Sequence, residues 1–521
     1  MLAVKENGNV HYLSEKIDTI TKSIGAALAI QRTGKLYQTK IPKFASNPTS
    51  QCTKQLANAD MVCTPSTDTT KGQDDYVDSG EMLFKWWHCN YTREPDGFAV
   101  PTAFESDGDY KTTGAVDVGT LCPTFYYSFQ EQSDHYLLTV SDTPNDEYDL
   151  KPFEAAVRED GTVMPYFILS SYFSSDVNGI LRSQPNRIVK NFMSYENTIT
   201  EYAKKGSGYH GAGAERNTYQ LIWQLIKYGT KNSQTVFKGV TDLNYQYPAS
   251  KTDLTNVKYF PVTTAQAANI SVGDLVYIGY PTNKSGTNVY LDRGVASMRA
   301  FSGGGMVKVT NKTEIDSGNV AIHVDVTTGF NTEDQLAIDG LDAHVYITSM
   351  GRMTGETDNV IGKYDGSYRS NTNGKNSYRI QGVEYACGYW FTASNTVLDN
   401  KTDFTRDVYK CNRWDTRLKN DTIKTTYTKV GTVPANSTGT NGYDDYWIGD
   451  VVIKEGVQVP VAIGSGDSTG VGDRVYMGGN STGLRQFLLG GNLRYGSSAG
   501  SSCLYCWGTL AGAYWYVAGA D

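Results

Sequence analysis

Residues that could do chemistry are thinly spread in this chain of 521 residues. Six histidines stand at 11, 88, 135, 210, 323 and 344, and none forms a His-x-x-x-His pair able to hold a metal from one helix face. No Gly-x-Ser-x-Gly elbow offers a nucleophilic serine. Cys503 and Cys506 have C-x-x-C spacing, but no second pair and no nearby histidine completes a zinc set, so two small residues on a loop is the expected reading. Carboxylates abound, and a glycosidase needs only two, placed in space rather than in sequence. Asp444-Asp445 and Glu81 are examples, and a solvated surface is the expectation for them. Gly206-Ser207-Gly208 and Gly211-Ala212-Gly213 precede a helical pattern, but no Gly-Lys-Ser/Thr closes a phosphate loop. The residues predict no catalytic set, no cofactor and no metal centre.

Binding chemistry is denser at the C-terminal end. From Phe487 to Asp521 two residue populations interleave. Gly and Ala stand where a backbone turns sharply or packs closely. Between them come Tyr, Trp, Ser, Asn and Arg, side chains that make contact at low entropic cost on antibody loops. This is the layout of a recognition surface. The predicted contact residues are Asn492, Arg494, Tyr495, Ser498, Tyr505, Trp507, Thr509, Tyr514 and Tyr516, with core packing as the competing reading for Trp507 and Tyr514.

The glycines and alanines of that segment, Gly490-Gly491, Gly496, Ala499-Gly500 and Gly519-Ala520, resemble the C-terminal signature of the C-type-lectin-fold variable proteins of phages and prophages. Asp117-Val118-Gly119, Tyr209-His210-Gly211 and Tyr228-Gly229-Thr230-Lys231-Asn232-Ser233-Gln234 add a general likeness to tail or fibre proteins of phages infecting gut Firmicutes. The resemblance implies a receptor-binding protein of the tropism-determinant type, of which some are diversified by retroelements that mutate adenines. It implies a virion location at a tail tip or fibre, a bacterial surface glycan or protein as ligand, other virion proteins as partners, and a homotrimer. A structural virion decoration and a virion-associated glycan depolymerase are the alternatives, and fold analogy alone does not separate them.

The elements that must position such a surface are read from pattern. The length predicts two to four domains. The 37 Tyr and 53 Gly favour a β-rich, loop-rich α+β architecture. The net charge of −8, without a basic stripe, argues against nucleic acid. No run approaches the length needed to span a membrane. The apolar run 23–30 follows Glu6, Glu15 and Asp18, so no signal peptide is expected, as suits a protein made in a bacterial cytoplasm and released by lysis.

Leu13, Ile17, Ile20, Ile24 and Leu28 predict an amphipathic helix over 11–30, within an N-terminal helix or stem at 1–32. Aromatic and β-branched runs predict a β-rich domain over 33–150. A C-type-lectin-like domain is expected in two parts, 151–251 and 351–521. Its helices are placed over 191–205, with Phe192, Tyr195, Ile199 and Tyr202 on one face, and over 215–229, with Tyr219, Ile222, Trp223, Leu225 and Ile226 on one face. Period-two runs within 252–350, with turn clusters such as Ser302-Gly303-Gly304-Gly305, predict an inserted β-barrel or sandwich.

Overall fold

One helix, Glu215–Tyr228, runs through the middle of the protein, and every residue from Glu215 to Lys227 is buried. The computed structural model describes residues 22, 24–29, 31–44, 52–280, 305–332, 345–411, 417–436, 445–477 and 482–521. It also gives the backbone of strands at 3–6, 9–12, 283–285, 288–290, 336–338 and 341–343. The architecture is β-rich with few helices.

The largest sheet has nine strands. In spatial order its main path runs Thr428–Val433, Arg406–Lys410, Trp390–Asn400, Gly483–Leu489, Leu504–Tyr505, Arg474–Tyr476, Tyr446–Lys454 and Val457–Ile463, and Val517–Ala518 adds in parallel beside Trp390 and Phe391. The first and last strands of that path come together, with Gly431 against Val459, so the sheet is nearly closed into a barrel. Its inward Val430, Val408, Leu398, Phe487, Ile448 and Val459 join one continuous core.

The long helix is placed by a partner rather than by its own sequence. Its N-cap is Ala214, which has no side chain to satisfy the first amides. Asn395 supplies that function from across the fold, accepting from the Ala214 N–H at 3.0 Å. The central strand breaks its pairing register between Thr392 and Val397, and the interruption turns Ser394 and Asn395 toward the helix start. At the other end Gly229 takes φ +60° and donates to the Leu225 carbonyl, a left-handed C-cap that only glycine adopts without strain.

The helix expected over 215–229 is present as Glu215–Tyr228, and Tyr219, Ile222, Trp223, Leu225 and Ile226 are all buried. The apolar face holds Trp223, with Phe84 at 5.7 Å and Phe125 at 5.2 Å between ring centroids. The opposite face is polar and equally buried, and Thr218, Gln220, Gln224 and Lys227 on it each have a partner. Thr218 donates to the Gly456 carbonyl at 2.8 Å, and Gln224 donates to Thr230 and Lys231 carbonyls. Lys227 lies 2.6 Å from Asp74 and 2.8 Å from Asp365 in a fully enclosed triad. The other predicted helix is shorter than expected, Tyr195–Ala203, capped by Ser194 accepting from the Asn197 N–H.

The N-terminal β region does not form a separate domain ending at 150. Strand Tyr166–Ser170 pairs with Asp117–Pro123, and Lys151–Pro152 pairs with Tyr126–Tyr127, so both N-terminal sheets cross that boundary. Tyr37, Ile41, Phe125 and Leu138 pack into the same core as the long helix and the barrel. Aromatic and β-branched runs do not reveal this, because the helix face they cover lies far along the chain.

The expected helix over 11–30 is also corrected. Asn9–Tyr12 is a strand that forms a hairpin with Ala3–Glu6. Helix is present over 24–29, where Leu28 and Ile24 pack inward on Met82, Tyr91, Phe98 and Ile168. Leu13, Ile17 and Ile20 lie outside the described residues.

Residues 246–349 supply a further sheet. Strands Gln246–Pro248, Tyr346–Ser349, Leu275–Gly279, Gly305–Asp316, Asn319–Val324 and Tyr259–Thr263 form a six-stranded antiparallel sheet, in that spatial order. The Ser250 N–H donates to the Pro261 carbonyl and draws its two ends together. Ser302, Gly303 and Gly304 lie outside the described residues. The core of this unit takes in Leu493 and Trp515, so it packs against the C-terminal segment.

One buried acid near the middle of the fold sets a pH dependence. Glu384 accepts from the Gly355 and Thr357 amides and the Thr357 hydroxyl. Burial, with Asp358 nearby, pushes its carboxyl up to about 8. The native state therefore favours the protonated form, and this contribution is lost as pH rises from about 4.5 through about 8. Chemical denaturation across that window should show wild-type stability declining with pH and the decline shallower in Glu384→Gln. Equal slopes would contradict the assignment.

Candidate functional site

The C-terminal segment is mostly loop between the short sheet strands Leu504–Tyr505 and Val517–Ala518, and its backbone is tied down by buried and half-buried polar side chains. Gln486 is the main tie. Its amide donates to the Thr509 carbonyl at 2.8 Å and the Gly512 carbonyl at 2.6 Å, while its oxygen accepts from the Tyr195 N–H at 2.9 Å. Asn191 donates to the Trp515 carbonyl at 3.0 Å. Gln234 donates to the Gly496 and Ala499 carbonyls, and the Ser233 hydroxyl accepts from the Ser501 N–H. Asp473 accepts from the Ser502 N–H at 2.8 Å, and burial pushes its carboxyl well above the usual range. Loop amides and carbonyls that cannot join a ladder are thus satisfied by side chains.

Two glycines permit this fit. Gly491 sits at φ +88°, and a Cβ there would collide with Ala499. Gly500 is needed for space: a Cβ would strike the Asp473 carboxyl. The expectation that Gly519 belongs with them is corrected, since a Cβ there would meet the Tyr202 hydroxyl no closer than 3.4 Å.

Above this scaffold the aromatic side chains converge on Trp390, which is fully buried. Tyr495 packs edge-on to Trp390 at 5.3 Å and to Tyr476 at 4.4 Å. Tyr514 and Tyr516 stack in parallel at 5.2 Å, and Trp507 stacks on Tyr505 at 6.1 Å. Arg494 lies 5.1 Å over the Trp515 ring and 5.5 Å over Tyr516, within cation–π range. Ser498 hydrogen-bonds Tyr476.

Of the nine predicted contact residues, Arg494 and Thr509 are exposed, and Tyr495, Ser498, Trp507, Tyr514 and Tyr516 are half-buried with part of each side chain in solvent. Two are corrected. Asn492 is 0 % exposed, and its oxygen accepts from the Arg494 N–H at 3.0 Å, so it shapes the turn instead of meeting a ligand. Tyr505 is 7 % exposed and packs in the cluster, its hydroxyl 3.1 Å from that of Tyr516. Sequence reasoning missed Tyr476 and Arg474, which extend the surface from a neighbouring strand, Arg474 lying 5.4 Å over the Tyr476 ring. Their alternation around buried Val475 was the available signal.

The other chemical candidates find structural explanations. Cys503 and Cys506 are buried, and burial pushes the Cys506 thiol up to about 12 and Cys503 upward as well, so neither is a thiolate at neutral pH. Glu81 accepts from the Tyr37 hydroxyl and pairs with Lys35. Asp444 lies outside the described residues. Among the described residues, Cys63, Asp74 and Asp365 form a grouping with metal-ligand spacing, but the Lys227 ammonium already bridges its two carboxylates.

The division between scaffold and display has measurable consequences. Gln486→Leu should lower unfolding free energy by about 3 kcal/mol, since it strands two carbonyls and an amide. Gly491→Val should cost about 2 kcal/mol or more through strain and collision. Thr509→Ala should stay within about 0.5 kcal/mol. Urea denaturation checks all three, and equal sensitivity at Thr509 and Gln486 would defeat the division.

The chain matches no protein-family model, and the search of curated proteins found none that matches it.

Proposed function

We propose that this protein is a phage receptor-binding protein that meets a bacterial surface ligand through the aromatic face at its C-terminal end. The reading extends to the fold: the nearly closed sheet, its two helices and the returning strand Val517–Ala518 make a C-type-lectin-like unit interrupted by the β insertion. The observation that carries the function is the separation of roles in one segment. Gln486, Asp473, Asn191 and Gln234 hold the loop backbone from within, while Arg494, Tyr495, Trp507, Thr509, Tyr514 and Tyr516 keep side-chain surface in solvent. Such a surface can change its side chains without changing its fold, which is also what diversification by a retroelement would require. Tyr, Trp and Arg are the residues in which interface energy concentrates.

The protein would sit at a tail tip or fibre of the virion and bind neighbouring virion proteins. Several copies, most simply a trimer, would strengthen a weak single contact by raising effective concentration. Ile24 and Leu28 are already used inside the protomer and so do not supply the trimer contact.

Replacing Arg494, Tyr514 and Tyr516 together with Ala should abolish adsorption of phage to its host while virions still assemble and the chain stays folded. Tyr505→Ala should instead act through stability, lowering it by about 3 kcal/mol. Normal adsorption by the triple variant would sink the reading. Light scattering should give a mass near three times 57.2 kDa, and a stable monomer at micromolar concentration would refute the trimer.

A further inference from the structure

The charged end of the long helix is closed to solvent, with the Lys227, Asp74 and Asp365 side chains all buried. The Lys227 nitrogen lies 2.6 Å from the Asp74 Oδ2, 2.8 Å from the Asp365 Oδ2 and 3.1 Å from the Gln381 Oε1. The Tyr76 ring stands 5.8 Å from the same nitrogen. Half-buried Lys54 remains outside the triad, donating to the Lys227 carbonyl at 2.6 Å. One ammonium between two carboxylates leaves the triad a net negative charge, which an enclosed interior disfavours. One further proton makes it neutral.

The two carboxyls are held differently. Asp365 is fixed by the Gln381 N–H at 2.8 Å on Oδ1 and by the Tyr228 hydroxyl at 3.0 Å on Oδ2. Asp74 accepts from the Val77 N–H at 3.2 Å on Oδ1, as the cap of the short helix Asp75–Asp78. Burial pushes the Asp74 carboxyl above the usual range, Lys227 opposes this, and Asp365 adds to it. Asp74 is therefore the carboxyl that takes the extra proton, and Asp365 is left as the base. Burial works against the Lys227 charge, yet Asp365 and Asp74 together hold its ammonium above the usual range. Protonation of Asp74 removes one of those two supports.

We propose that Lys227 and Asp74 join in an intramolecular isopeptide bond, with Asp365 as the catalytic base, independently of the receptor-binding reading. Asp365 takes one ammonium proton, and the freed amine attacks the Asp74 Cγ. A nitrogen 2.6 Å from Oδ2 lies within about 4 Å of that carbon, close to attacking distance. The carbonyl electron pair moves to Oδ1, where the Val77 N–H meets the developing charge. As that pair returns, the Cγ–Oδ2 bond breaks, and Oδ2 leaves as water with its own proton and a second one from nitrogen. The third stays on the amide, so the products are a neutral amide, one water and a protonated Asp365. The Cys63 sulfur lies within 4.8 Å of the same carboxyl oxygens, but burial pushes its thiol well up, so it does not compete as a nucleophile. The bond would lock the strand Gln73–Asp74 to the end of the central helix.

Mass spectrometry of the full chain, unfolded and reduced, tests this. Wild type kept folded at neutral and mildly acidic pH should weigh one water less than its sequence, allowing for removal of Met1. Its digest should contain one branched peptide joining Lys227 to Asp74. Asp365→Asn, isosteric but without a base, should stay at full sequence mass. So should Asp74→Ser, which still offers a cap to the short helix but no carboxyl. Circular dichroism shows whether each variant folds, and the wild-type mass decides the matter if neither does. Wild type at full sequence mass, a water loss that maps to any other pair of residues, Lys227 with Asp365 included, or an intact bond in folded Asp365→Asn would each overturn the proposal. Adsorption by the display-face triple variant is read separately, so failure of either idea leaves the other standing.

Discussion

Backbone amides and carbonyls buried outside a helix or sheet must still be hydrogen-bonded, and this protein meets that requirement with buried side chains from distant parts of the chain. Gln486 shows the principle most fully. It sits in a barrel strand, spends its side chain on two loop carbonyls, and accepts from the first residue of a helix nearly three hundred positions earlier. Asn395 does the same for the long helix, capping a terminus whose own sequence offers only Ala214. The C-terminal loops between the short strands keep their shape through these bonds, and half-buried Tyr495, Trp507, Tyr514 and Tyr516 pack around Trp390.

The same requirement governs the centre. A helix buried on every side is normally apolar on every side. Here Thr218, Gln220, Gln224 and Lys227 are enclosed, and each has a partner in the surrounding sheets or loops. Those partners come from residues 74, 365, 378 and 456 as well as from the loop after the helix, so the helix joins regions that sequence reasoning assigns to different domains. This continuity explains why the N-terminal strands and the barrel share one core.

What the sequence made legible was local. Period-two runs located strands Tyr259–Thr263, Leu275–Gly279, Gly305–Asp316 and Asn319–Val324, and apolar spacing located both helices. Tyr495, Trp507, Tyr514 and Tyr516 stood out by residue type, and the folded chain gathers them around Trp390. What stayed hidden depended on long-range partners. Asn492 reads as a contact residue by type, but its carboxamide serves the turn it sits in. Nothing near Glu215 signals that Asn395 will cap it. Ile24 and Leu28 have amphipathic spacing, and only the position of Met82 and Tyr91 shows that these two pack internally. Gly519 shares its residue type with Gly491 and Gly500, yet it lacks both the positive φ of the one and the crowding of the other.

The central claim is that one C-terminal segment contains two disjoint sets of residues, one holding the fold and one meeting a ligand. Saturation mutagenesis from Gln486 to Gly519, scored in parallel for folding of the chain and for adsorption of particles carrying it, tests this most directly. The account predicts that Gln486, Gly491, Asn492, Gly500 and Tyr505 fail the folding score. Arg494, Thr509, Tyr514 and Tyr516 should tolerate most substitutions in folding while losing adsorption. A single set of positions failing both scores together, with no position that folds normally and fails to adsorb, would contradict it.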